Sequence, residues 1–206
     1  MVKRAIIFDL DNTIYPVASI GDKLFYNLFQ LIEKHKGYHG NIYDIKNEIM
    51  RHPFQVVAKD FHFNNDLTLL GLQLLEQLTY DESIKPFDDY FLTKNINLVK
   101  FLVTSGFTKL QLSKIEQLGI KNDFKEFFIV DPINSNLTKK DVFNKIIEQY
   151  DFVAKEVLVV GDDINSEIKA GKELGMDTIV YDYLKVFEDS STEQIIRNYC
   201  ELEKYI

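Results

Sequence analysis

The sequence contains a single cysteine, Cys200, and therefore no partner for an intramolecular disulfide. A reducing compartment such as the cytoplasm is the simplest setting for such a chain. No stretch approaches the ~18 consecutive apolar residues of a membrane span. Leu67 to Leu78 comes nearest, and Thr, Gly, Gln and Glu interrupt it. In the opening MVKRAIIFDLDN, Asp9 cuts the apolar run short of a signal-peptide core, so the segment is expected to be a strand. Positive charge is scarce. With 24 Lys and Arg against 32 Asp and Glu, the formal charge of −8 disfavours non-specific contact with nucleic acid or anionic membrane surfaces. Internal repeats and low-complexity tracts are missing as well. What remains is 206 residues with 46% hydrophobic content, enough to bury a core in one domain or in a domain with an insertion.

Short apolar runs rich in β-branched residues predict strands at Ala5 to Phe8, Leu98 to Val103, Phe127 to Val130, Val157 to Val160 and Thr178 to Tyr181. Helical spacing marks Lys109 to Leu118, Lys140 to Tyr150 and Ser166 to Leu174 between the later strands. Alternating strands and helices imply right-handed crossovers and a doubly wound parallel α/β sheet. The first two strands are separated by far more chain than one crossover helix needs. Within that chain Leu24, Leu28, Leu31 and Ile32 share one helical face, and Leu67, Leu70, Leu74, Leu75 and Leu78 share another. A helical cap subdomain is therefore expected at residues 16–87, with Pro16 and Pro86 near its ends, inserted into a core of residues 1–15 and 88–206. Thr192 to Tyr205 reads as a final helix capped by Ser191 or Thr192.

Ligands bind such sheets outside the carboxyl ends of the strands. There the first strand runs into Asp9-Leu10-Asp11-Asn12-Thr13, two carboxylates two residues apart, which repel unless a cation or a proton intervenes. Asp11 and Asn12 could equally form an ordinary turn. The fourth strand repeats the pattern with Gly161-Asp162-Asp163. Capping of the next helix by Asp163, Asn165 or Ser166 explains one of these residues but not the doubled acid, and two acidic pairs on one sheet edge point to a shared hard cation. The second strand ends Thr104-Ser105-Gly106, a hydroxyl followed by backbone amides that could cradle an anionic oxygen or simply make a turn. Thr138 and Asp141 have capping-box spacing, which makes Lys139 the first helical residue at the same edge, although most lysines are only solvated surface charges.

Taken together, Phe-Asp-Leu-Asp-Asn-Thr after a first strand, a Thr closing the second, a Lys opening a later helix and Gly-Asp-Asp after the fourth resemble the four motifs of the haloacid dehalogenase-like hydrolase superfamily. All four occur in order, and the helical insertion falls where that family carries its cap. The resemblance implies a phosphate-ester hydrolase with Asp9 as nucleophile and Asp11 as general acid and base. It implies Thr104 and Ser105 at the phosphate, and Lys139, with Lys140 one residue away as the alternative, neutralising phosphoryl charge. Mg²⁺ would be held by Asp9, the Asp11 backbone carbonyl and Asp162. Asp163 and Glu167 would act at or behind the metal, Glu167 standing where the family more often has Asp.

A dehalogenase of that family lacks the second acid, so Asp11 argues against one. A phosphomutase shares every residue named, and a phospho-aspartate signalling switch would carry the acceptor without Asp11 or a cap. The expected partner is a small phosphorylated metabolite, a nucleotide or sugar phosphate. The Asn-Thr-Ile-Tyr-Pro continuation of the first motif is similar to that of nucleotidase-like members. Tyr15, Arg51, His52 and Phe54 are the candidates for reading the leaving group, each weighed against ordinary packing or solvation.

Overall fold

The computed structural model describes residues 2–187 and 193–206. Its six strands are β1 (Ala5–Phe8), β2 (Val99–Ser105), β3 (Glu126–Val130), β4 (Val157–Gly161), β5 (Asp177–Tyr181) and β6 (Ile195–Ile196), in the order β3-β2-β1-β4-β5-β6. Every neighbouring pair is parallel. The expected doubly wound α/β sheet is therefore present.

Parallel strands covered on both faces must be apolar at successive positions, and the side chains alternate between two cores. Ile6, Phe8, Leu102, Leu158 and Val160 enter one cluster, and Ala5, Ile7, Phe101, Val103, Val157 and Val159 the other. The second cluster is closed by Val142, Phe143 and Ile146 of α7 (Lys139–Tyr150) and Ala170 of α8 (Glu167–Glu173). The first is closed by Leu110, Ile115 and Leu118 of α6 (Thr108–Leu118), by the inserted helices and by Tyr199 and Leu202. Full burial of side chains of this size contributes roughly 1.5–3 kcal/mol each.

Between β1 and β2 lie five α-helices, α1 (Gly21–Leu24), α2 (Tyr26–His35), α3 (Ile42–Ile49), α4 (Phe54–Asp60) and α5 (Asn65–Gln77). Phe25 separates α1 from α2, so the leucine stripe read there runs over two abutting helices. On α5 the buried positions are Leu67, Gly71 and Leu75, while Leu70 is exposed, a correction to the expected stripe. Its cause is Gly71. A Cβ there would lie 2.3 Å from Cζ of Phe54, and the bare backbone lets that ring lie against the helix, turning the 67/71/75 face inward. The two crossings from the sheet to these helices are tied to each other by the Phe87 amide donating to the Ile14 carbonyl at 2.9 Å.

The C-terminal segment also differs from expectation. Instead of one helix over Thr192 to Tyr205, the chain adds the short β6 and a 3₁₀ helix over Tyr199–Lys204, with Asn198 as the capping residue. Arg197 and Asn198 have left the helical path, so that the Asp182 amide can reach the Ile196 carbonyl at 2.8 Å. Ser191 and Thr192, the expected caps, lie outside the described residues. Among the described residues no helix is long and apolar enough to cross a membrane.

Candidate active site

The strand order reverses beside β1, with β2 on one side and β4 on the other. A crevice opens at such a reversal, and it receives Asp9 after β1 and Asp162 after β4. The backbone delivers both acids to one depth, because Phe8 and Val160 are register partners and the Asp9 amide donates to the Val160 carbonyl at 3.0 Å.

Lys139 reaches this point from the first turn of α7. Thr138 and Asp141 form the expected capping box, which starts the helix at Lys139. The buried ammonium donates to Asp9 Oδ1 at 2.6 Å and to Glu167 Oε2 at 2.7 Å. Lys140 points away, to Glu173 on the surface at 2.9 Å. The other Glu167 oxygen accepts from the Asp163 amide at 2.8 Å.

Glu167 can occupy this position only because residue 161 is glycine. A Cβ on Gly161 would stand 2.2 Å from Glu167 Oε1, a carboxylate pinned at both oxygens. Gly161→Ala is therefore expected to lower stability by about 1–3 kcal/mol through overpacking. Chemical denaturation would show the loss, and a midpoint equal to that of the parent would mean Glu167 moves aside freely.

Oxygens of Asp9, Asp162 and Glu167 lie within 4.8 Å of one another. Three carboxylates thus face one ammonium, and the imbalance appears in the protonation of Asp9 and Asp162. Burial pushes Asp9 up to about 7 even with Lys139 opposing, and Glu167 and Asp11 add to the rise. Asp162 is partly open to solvent, yet the surrounding protein, then Glu167 and Asp9, hold it well above the usual carboxylate range. Lys139 is raised in turn, since its two carboxylates outweigh the cost of burying it. A cluster of hard oxygen donors with excess negative charge suits a divalent cation of the Mg²⁺ class.

Asp11 occupies a separate setting. Its carboxylate accepts from Lys114 Nζ at 2.8 and 3.0 Å, from Gln111 Nε2 at 3.0 Å and from the Tyr15 hydroxyl. Burial alone would raise its pKa, but the Lys114 charge and these hydrogen bonds prevail and hold it below the usual value. Gln111 Nε2 also donates to the Thr104 hydroxyl at 2.6 Å, which leaves the hydroxyl proton of Thr104 for another acceptor.

Asp9, Asp11, Thr104, Ser105, Lys139, Asp162, Asp163 and Glu167 all line one cavity of about 300 Å³, and Arg51, His52 and Phe54 of the insertion line it from the opposite side. Asp163 also serves the local turn, accepting from the Asn165 amide at 2.8 Å, while His52 Nδ1 stands 3.7 Å away. Tyr15 differs from the sequence expectation. It is fully buried, does not border the cavity, and its hydroxyl is spent on Asp11. The turn that forms the bridge between Asp11 and Tyr15 brings the ring back under the carboxylate.

Gln111 and Lys114 were not singled out from the sequence. Their signal was available, since both fall on the apolar stripe of α6 with Leu110, Ile115 and Leu118, where a Gln and a Lys demand polar partners.

Residues 3–175 match the family model of the haloacid dehalogenase-like hydrolases, and the chain belongs to that family. A glyceraldehyde 3-phosphate phosphatase of Methanopyrus kandleri is 24% identical over 197 residues, 85% of this chain and 82% of the relative. A pyrimidine 5'-nucleotidase of Streptococcus pneumoniae is 29% identical over 82 residues, which is 39% of this chain and only 35% of that enzyme. Among solved structures, a putative hydrolase of the same family from Bacillus subtilis, bound to magnesium, superposes with a TM-score of 0.64 at 22% identity, covering 99% of this chain and 98% of that one. The fold, cap included, is shared.

Proposed function

We propose that the protein is a Mg²⁺-dependent phosphomonoester hydrolase that works through an aspartyl-phosphate on Asp9. The observation that carries this reading is the buried contact of Lys139 with Asp9 and Glu167 beside Asp162, with Asp11 on the same cavity. Relatives named as phosphatases support it.

Asp9 attacks phosphorus while Lys139, fixed on Oδ1, orients the carboxylate and offsets the charge gathering on the phosphoryl oxygens. Thr104 donates its remaining proton to one of those oxygens. Asp11 gives a proton to the departing alkoxide and then takes one from the water that cleaves the acyl phosphate. The contacts from Lys114, Gln111 and Tyr15 favour its carboxylate form, which suits the second step and works against the first, where Asp11 must start protonated. Mg²⁺, held by Asp9 and Asp162 with Glu167 behind, would neutralise the phosphoryl group. Residues 16–87 act as the cap, hinged at the paired crossings near Ile14 and Phe87, and close over the site to exclude water. Nucleotides and sugar phosphates are the first substrates to screen.

Release of inorganic phosphate should require Mg²⁺ and stop on chelation. Undiminished release after exhaustive EDTA treatment would remove the metal from the scheme, and phosphate moved to a second alcohol without release would mark a mutase. Asp11→Asn should slow turnover by ~10²–10⁴, and with a good leaving group the phosphorylated enzyme should accumulate. A variant that keeps its rate and never accumulates phospho-enzyme would take the acid and base role from Asp11.

A further inference from the structure

Away from the acid cluster, the cavity wall is made of the buried side chains of Val17, Phe25, Ile49 and Phe54 from the insertion, facing Phe107 and Leu110 from the sheet side. Two buried polar side chains of α6 interrupt this wall, Gln111 and Lys114. Their nitrogens are already committed, Lys114 to both oxygens of Asp11, and Gln111 to Asp11, Thr104 and the Ser105 carbonyl. Of the remaining polar groups of the insertion that border the cavity, Arg51 is exposed, His52 is partly exposed with Nε2 3.3 Å from Glu48, and Gln55 is partly buried. A leaving group seated past the phosphate thus meets mostly hydrocarbon, in a cavity at the small end of the range for ligand sites.

We infer that the leaving alcohol of the natural substrate carries a compact apolar or aromatic body rather than a chain or ring of hydroxyls. The inference rests on the phosphatase reading and narrows it. Hydroxyls of a polyol would surrender water in this chamber with only Arg51, His52 and Gln55 to meet them on the insertion side, whereas an apolar body gains by leaving water. The rings of Phe25, Phe54 and Phe107 supply faces and edges for a flat group. The position of Phe54 is set by Gly71, whose missing Cβ makes the room that the ring fills.

The test compares kcat/KM in Mg²⁺ for benzyl phosphate, glucose 6-phosphate and glycerol 3-phosphate, all esters of primary alcohols, so that the bond broken is of one kind. Benzyl phosphate should be preferred by at least about tenfold over both, the scale on which a hydrophobic pocket discriminates. Phe54→Ala should shrink that ratio, where a merely structural role would lower all three substrates together. Equal or better turnover of either polyol ester overturns the inference and leaves the phosphatase standing. Hydrolysis of none of the three overturns the phosphatase reading, and the inference falls with it.

Discussion

Asp9→Asn should reduce phosphate release by roughly 10⁴–10⁶, the scale on which loss of a nucleophile is felt when its partners remain. The amide keeps the shape of the carboxylate and can still accept from Lys139 at Oδ1, so the ammonium retains both contacts in outline. What disappears is a charge that the site holds reluctantly. Burial has already pushed Asp9 up to about 7, with Glu167 and Asp11 adding to the rise. A neutral side chain relieves that repulsion, so the thermal midpoint of the metal-free variant should stay level or rise while activity vanishes. The pairing of the two readouts is the test. Residual activity above a few per cent would place the nucleophile elsewhere, and a collapsed midpoint would mean the lost turnover reports unfolding.

The parts of this site that the sequence discloses are those fixed by position along the chain. Asp9 and Asp162 each follow a buried apolar strand and Thr104 lies at the end of another, and a parallel sheet brings strand ends to one edge whatever else the chain does. Lys139 is disclosed by its capping box, a local signal spanning four residues. The residues that escaped act across the fold. Lys114 lies 103 positions from Asp11, and although the apolar stripe of α6 turns this lysine inward, nothing local names Asp11 as the partner it meets there. Tyr15 was misplaced for a related reason, because its burial depends on how the chain leaves Asp11, a turn in which Asn12 takes φ of 55°. The C-terminal segment was misread because β6 is two residues long, too short for any period to register, and exists by pairing with β5. The exposed Leu70 shows the same limit. Five leucines fit a stripe, but the ring of Phe54 lying against Gly71 decided which side of the helix faces in.

Lys139→Met should impair stability and chemistry together, and Mg²⁺ should separate the two. Methionine nearly matches the length of lysine but leaves Asp9, Asp162 and Glu167 clustered without their one ammonium. Removing one partner from a buried ion pair costs about 3–5 kcal/mol, because the charge left behind is neither solvated nor paired. For a chain of this size, that lowers the metal-free thermal midpoint by on the order of 10 °C. A divalent cation offers the carboxylates another partner, so saturating Mg²⁺ should return part of the loss, and it should raise the midpoint of the variant more than that of the parent. Activity should not return with it. The ammonium offsets charge that develops only as the phosphoryl group transfers, and loss of such a cation costs ~10³–10⁵ in rate in comparable phosphoryl transfers. Lys140→Met is the control, since Lys140 is exposed and paired with Glu173 at the surface, and an exposed pair of that kind contributes little. If the Lys140 variant loses as much activity as the Lys139 variant, or if the Lys139 variant melts with the parent in the absence of Mg²⁺, the buried contact does not have the role assigned to it.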